Sequence, residues 1–346
     1  MSLSVVIRSR DEADRLRLTL ASLTRQTGLT EVVVVDDGST DHTPAVLAEA
    51  SKALPLVAVR HDVARGRSAA SNAGAARASG DVLLFLDGDT LAGPGLVERH
   101  RNAHGQNSGL IGRGDVFHLR CTRYLKDPES ASPKPGEEAR LASLPAAELA
   151  RIRVTRAQVL DDFAAIERRA EPGIYPGAGP RLLSTLEGEA LRTEPGLGVL
   201  WAAASGANLS VARDAFLRIG GFDEALDINE HRELAFRLCA GGQQVRLIEG
   251  AKSYHLTHRA GWRDPLADTG WEQVFWRKHP VKAVKLLSVF WASLAPGTRL
   301  PAAARIGSLA ALEAAALGDN GVDYDAARRA IGLPLLEAPA NEAVTP

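Results

Sequence analysis

Four short apolar runs, each handed on to a stretch of different period, constrain this chain more than any other feature. Leu3 to Ile7, Glu31 to Val35, Leu56 to Val59 and Val82 to Asp87 are rich in aliphatic and β-branched residues, as strands are. Between them, Ala13, Leu16, Leu20 and Leu23 recur at helical spacing up to Gly28, and Ser9 to Glu12 has the spacing of a capping box. A second helix is predicted over Pro44 to Ala53, and a third, built of small residues, over Ser68 to Ala78. Strands alternating with helices of about a dozen residues define βαβ units, and hence an α/β fold with a mostly parallel sheet. The fourth run is apolar throughout, as expected of a strand buried on both faces. It ends in Asp87, Gly88 and Asp89. Ligands of open α/β sheets bind beyond the carboxyl ends of the strands. Two carboxylates there repel each other unless a positive group lies between them. A divalent cation carrying phosphate oxygens meets that need, because hard cations prefer oxygen ligands; an acidic turn after an ordinary strand is the alternative.

The glycine cradles that hold phosphates in other α/β proteins are absent. Gly66 to Gly74 supplies no GxGxxG after a strand, and the chain has no GxxxxGK[ST]. A phosphate-bearing ligand would therefore be held through a cation. With 346 residues, 45% apolar and 24% charged, the chain has room for a large core in one or two domains. A net charge of -1 argues against nucleic acid or membrane as the principal partner. Two cysteines, Cys121 and Cys239, fit a reducing compartment. The N-terminus reads as a first strand and not a signal peptide. The longest apolar run, Leu286 to Ala295, is about half a membrane span. A cytoplasmic protein is expected.

An ordered series of motifs carries a resemblance. It consists of Val5 to Ile7, Val35 to Ser39, Gly66 with Asn72 to Gly74, Gly80 and Asp81, and Phe85 to Asp89. Gly206 to Asn208, Gly220 to Glu224 and Glu230 to Leu238 follow. In this order they resemble the family 2 glycosyltransferases of GT-A fold, over roughly residues 1–115 and 200–260. The resemblance implies a GT-A domain over 1–260, with a nucleotide-binding part at 1–115 and a variable insertion, or acceptor region, at 113–200. It implies an inverting transferase that uses a nucleotide-sugar, a UDP-sugar foremost and GDP or dTDP as alternatives, with an unassigned acceptor. Asp36 and Asp37 would then hold base and ribose, with Arg8 lining the same pocket. Asp87 and Asp89 would hold the ribose and a Mn2+ or Mg2+ on the diphosphate, Asp89 being the direct ligand. His255, after the last strand, would complete the metal shell, with His258 as its substitute.

The chain departs from the family twice. Where Ala-Arg-Asn is common it reads Ala70, Ser71, Asn72, so the positive charge would come from Arg65 or Arg67. Where Glu-Asp is common, with the Asp as base, it reads Glu230 and His231. Direct displacement needs a group to take the hydroxyl proton. Glu230 is favoured, while His231 and Asp227 stay open; dipole stabilisation at a helix start is the other role for these acids. A nucleotide-sugar-binding protein that has lost or changed catalysis is one alternative. A phosphatase is another, since Leu86 to Leu91 superficially resembles the haloacid-dehalogenase motif.

Elsewhere a mobile loop is expected over Asp127 to Glu138, a helical stretch over Leu141 to Ile166, and Gly/Pro punctuation from Gly173 to Pro180. A small-residue strand is expected over Trp201 to Asn208, and a last strand over Ala251 to His255. The region 261–338 reads as a helical extension, with an Ala-rich helix over Pro301 to Leu317, and 339–346 as a disordered tail. Trp262, Trp271 and Trp276 could stack on a sugar or anchor a helix. An amphipathic helix over Val274 to Ala295 would dock on the domain or on a second subunit, or touch a membrane peripherally.

Overall fold

A computed structural model describes residues 1–172, 182–258, 265–318 and 320–337. The alternation of the first ninety residues is realised as β1 (Leu3–Ser9), α1 (Ala13–Leu23), β2 (Glu31–Asp37), α2 (Thr43–Ala50), β3 (Leu56–His61), α3 (Arg67–Arg77) and β4 (Val82–Asp87). β1 lies between β2 and β4 with all three parallel, Val5 pairing with Val32 on one side and Leu84 on the other. β3 lies outside β2. The small residues of α3 let it press on this sheet. A Cβ at Gly74 would come within 2.5 Å of Val6 Cγ1 and 3.1 Å of Val35 Cγ2. The Ser9 to Glu12 spacing does not make a capping box: Ser9 Oγ donates to the Glu12 side chain at 3.0 Å instead.

Next come β5 (Thr90–Ala92), α4 (Leu96–Gln106), β6 (Leu110–His118), β7 (Leu125–Asp127), β8 (Ser132–Pro133) and four short helices, α5 (Glu138–Ala142), α6 (Ala146–Ile152), α7 (Arg156–Asp161) and α8 (Phe163–Glu167). They are followed by β9 (Glu171–Pro172), α9 (Leu182–Thr193), β10 (Leu209–Ala212), α10 (Arg213–Arg218), α11 (Glu230–Ala240) and β11 (Gln244–His255). The full sheet runs β3-β2-β1-β4-β10-β6-β11-β5, with β9 on β6. β10 inserts antiparallel between β4 and β6, whereas β11 is parallel to β6 and antiparallel to β5. The parallel character expected from the first ninety residues therefore gives way to a mixed half. Its register matters for the site: His255 sits opposite Thr90 on one side and His118 on the other.

Several local expectations are corrected. Asp127 to Glu138 contains the β7–β8 hairpin rather than a free loop. Leu141 to Ile166 is broken at Pro145 and again after Ile152, and restarts at Thr155, whose side chain forms a capping box with Gln158. Trp201 to Asn208 is no strand: Leu200 to Ala203 is a 3-10 turn whose Ala202 carbonyl accepts from Arg232 Nε at 2.7 Å, and extended structure starts at Leu209. Gly173 to Pro180, Trp262 and the tail from 339 lie outside the described residues.

The C-terminal extension holds α12 (Gly270–Lys278), α13 (Lys282–Leu294), α14 (Leu309–Leu317) and α15 (Tyr324–Ala330). Val274 to Ala295 is thus two helices, parted at His279 and Pro280, since proline disfavours helix in the residue before it. The Ala-rich stretch from Pro301 makes one 3-10 turn over Ala302–Ala304 and becomes α-helical only at Leu309, after the Ser308 cap. Leu286, Phe290 and Trp291 are buried, and Trp271 packs on Trp291 with ring centroids 5.4 Å apart. Of the alternatives for this apolar face, docking on the chain's own core is the one these buried residues make, and Trp271 is an anchor. No described helix is long and apolar enough to cross a membrane.

One ion pair locks this extension. Arg328 Nη2 and Glu272 Oε2 are 2.8 Å apart with both side chains buried. Removing one partner of a buried pair leaves an uncompensated charge, at a cost of about 3–5 kcal/mol. E272Q is expected to lose stability on that scale in denaturant titration, and a loss under about 1 kcal/mol would remove the pair from the account.

Candidate active site

The C-terminal ends of β4, β6 and β11 converge on one carboxylate. Asp89 is buried, and its Oδ2 lies 3.1 Å from His255 Nε2 and 2.8 Å from His258 Nε2. The three ligand atoms all fall within 4.8 Å of one another. Burial alone would raise the Asp89 carboxyl, but the two imidazoles hold it well below the usual carboxylate range. The register of β5 on β11 brings His255 here, and the backbone N–H of Leu256 donates to the Asp89 carbonyl at 2.8 Å. Arg15 of α1 fixes the following loop, its Nε donating to the Leu256 carbonyl at 3.2 Å and its Nη1 to that of Lys126 at 2.8 Å.

The glycine between the two aspartates is required by closeness. A Cβ at Gly88 would come within 2.4 Å of Glu12 Oε1 and 2.7 Å of Ser9 Oγ. Burial, then Asp89, pushes the Glu12 carboxyl well above its ordinary range. Asp87 and Asp89 thus place two carboxylates near two imidazoles, and Glu12 resists ionisation beside them. One carboxylate and two imidazoles fit a divalent first-row metal.

Asp87 stands apart from the three-residue cluster. Its Oδ1 accepts from Arg8 Nε at 2.9 Å, an ion pair at the strand end. The other side of the same guanidinium, Nη1, donates to Glu230 Oε1 at 2.9 Å. Arg8 therefore bridges the strand end to the first turn of α11. Glu230 is buried, which opposes ionisation, yet Arg8 holds its carboxyl far below the usual range, helped by His231 and Arg67. His231 Nδ1 lies 3.7 Å from Glu230 Oε2, and its Nε2 lies 2.8 Å from Arg232 Nη1. A guanidinium can only donate. Nε2 must therefore accept, and the imidazole proton sits on Nδ1. Asp227 lies further along, accepting from the Arg67 backbone N–H at 3.4 Å.

The Asp36–Asp37 turn is built from its own carboxylates. Asp36 accepts from the Ser39 N–H at 2.8 Å and pairs with Arg60. Asp37 Oδ1 faces His61 Nδ1 at 2.7 Å, and its carboxylate accepts the Arg65 and Gly66 N–H groups at 2.8 and 3.0 Å. Burial opposes these bonds, and they win, holding Asp37 below its ordinary value. The start of α2 is served separately, by Asp41 accepting from the Thr43 N–H at 3.0 Å. Arg65 faces Glu224 at 3.7 Å, while Arg67 is the arginine whose charge reaches Glu230. A cavity of about 430 Å3 lined by Trp276, Lys285 and Tyr324 contains none of these residues.

Sequence reasoning missed His118, Glu12 and Arg15. Each owes its place to pairing or helix packing that no local motif announces.

Comparison with known proteins agrees with this architecture. The glycosyl transferase family 2 profile matches residues 4–153. Over that segment the chain is similar to the family 2 glycosyltransferases. It is 31% identical over 300 residues to a validoxylamine A glucosyltransferase of Streptomyces hygroscopicus, covering 84% of this chain and 63% of that protein. It is 35% identical over 113 residues to the uncharacterized glycosyltransferase YfnE of Bacillus subtilis, covering 32% of this chain and 29% of that one. The chain therefore spans less than two thirds of the length of these relatives. The crystal structure of TarS from S. aureus superposes with a TM-score of 0.50 at 15% identity, covering 83% of this chain and 40% of TarS. That likeness establishes the GT-A type of fold. It also sets aside the phosphatase resemblance, because Asp87 ends the fourth strand of a different fold.

Proposed function

We propose that this chain is a metal-dependent inverting glycosyltransferase, moving a sugar from a nucleotide-sugar to an acceptor hydroxyl. The observation that carries the reading is the Asp89, His255, His258 cluster at the carboxyl end of the central strand. The nucleotide would lie against the Asp36–Asp37 turn and Arg67, with UDP as the first candidate and GDP or dTDP as the others. The glucosyltransferase relative supports a hexosyl group as cargo.

Asp89, His255 and His258 would hold the metal. When bound, a divalent ion neutralises charge developing on the departing diphosphate. Mg2+ demands near-octahedral oxygen coordination, whereas a site with two imidazoles suits a transition metal, so Mn2+ is favoured over Mg2+. Glu230 takes the proton as the acceptor oxygen bonds to the anomeric carbon and the bond to the diphosphate breaks. Its ion pair with Arg8 keeps it ionised. His231 Nδ1 faces Glu230 from 3.7 Å, and its other nitrogen is occupied by Arg232.

Calorimetric titration tests the site. At least one of UDP, GDP and dTDP is expected to bind with Mn2+ present, about 10-fold more weakly with Mg2+, and barely without metal. Equal binding with and without Mn2+ for all three would overturn the reading.

A further inference from the structure

We infer that His118, at the end of β6, is the positioning residue that aims His255 at the metal. The inference rests on the metal reading above and adds a residue to it. His118 and His255 are paired neighbours across the parallel β6–β11 ladder. Their Nδ1 atoms lie 3.2 Å apart, with ring centroids 5.0 Å apart and planes 69° from parallel. That is hydrogen-bond geometry between two rings that do not stack.

The direction of the bond follows from chemistry. His255 turns Nε2 toward Asp89, so Nε2 is the atom offered to a metal. A neutral imidazole that gives one nitrogen to a metal carries its proton on the other. His255 Nδ1–H must then donate, and His118 Nδ1 must accept, which puts the His118 proton on Nε2. His118 is not itself a member of the three-residue cluster. Its part is to fix the tautomer and ring orientation of a ligand, which elsewhere is done by a carboxylate or carbonyl. A histidine in this role keeps the pair free of added negative charge beside Asp87 and Asp89.

The experiment measures Mn2+ binding to the full chain without nucleotide, by the electron paramagnetic resonance signal of free Mn2+. H118L removes the acceptor and is expected to weaken Mn2+ about 10- to 100-fold. H118N restores an acceptor oxygen near the place of Nδ1 and is expected to recover affinity to within about 3-fold of the parent. H118L binding as tightly as the parent would overturn the inference, and so would H118N as weak as H118L. A parent chain that binds no Mn2+ would instead refute the metal reading itself. Should H118L fail to fold, long-range proton–nitrogen spectra of the unaltered protein loaded with diamagnetic Zn2+ decide. They are expected to show His255 protonated on Nδ1 and His118 on Nε2, and the reverse pattern would overturn the inference.

Discussion

Replacing Asp89 with alanine is expected to abolish metal-dependent binding of nucleoside diphosphate and to reduce transfer by about 1,000-fold or more. Asp89 is the only carboxylate in the cluster with His255 and His258, so its loss leaves two neutral rings and no charge to hold a cation. The fold should survive the change. The bond that ties this turn to the loop after β11 runs from Leu256 N–H to the Asp89 backbone carbonyl, which alanine keeps. Circular dichroism should therefore be native, while calorimetry with UDP, GDP and dTDP shows no difference between Mn2+ and chelator. Retained Mn2+-dependent binding in D89A would place the metal elsewhere.

E230Q carries the second large effect. Loss of a general base costs about 100- to 10,000-fold in turnover. Donor affinity should change only a few-fold, because Arg8 keeps its contact with Asp87 at 2.9 Å. H231Q and D227N separate the candidates. Under the present assignment H231Q weakens turnover less than E230Q, since His231 faces the carboxylate from 3.7 Å and does not itself take the proton. A larger loss in H231Q or D227N, with E230Q near the parent rate, would move the base to that residue. A parent chain that binds donor and never turns it over would favour the binding-protein alternative.

The parallel half of the fold was legible because its signals are local. Val32 to Val35 and Val82 to Leu86 read as buried strands, and they occupy adjoining central positions on either side of β1. Asp89 and His255 could be placed in one site only through their order in a family-like series, and the β5–β11 register does bring them together. The antiparallel insertion of β10 was not legible, because four residues of strand running straight into α10 leave no period to detect. His118 was hidden for a related reason. It ends a strand whose partner lies 137 residues away, and only the register reveals that two histidines meet. The amphipathic pattern of 274–295 was real, but pattern alone cannot say what covers an apolar face. Here Leu286, Phe290 and Trp291 face the chain's own core. Asp36 and Asp37, which read as ligand-binding, are also held within the fold by Arg60, His61 and the backbone N–H groups of Ser39, Arg65 and Gly66.

The central claim meets its most direct test in turnover of a nucleotide-sugar panel, with Mn2+ and with chelator, across UDP-, GDP- and dTDP-linked hexoses. Release of nucleoside diphosphate from at least one donor, dependent on Mn2+ and lost in D89A, is the predicted result, with inversion at the anomeric carbon of the product. Turnover that is unaffected by chelation and by D89A, or product that retains the donor's anomeric configuration, would contradict it.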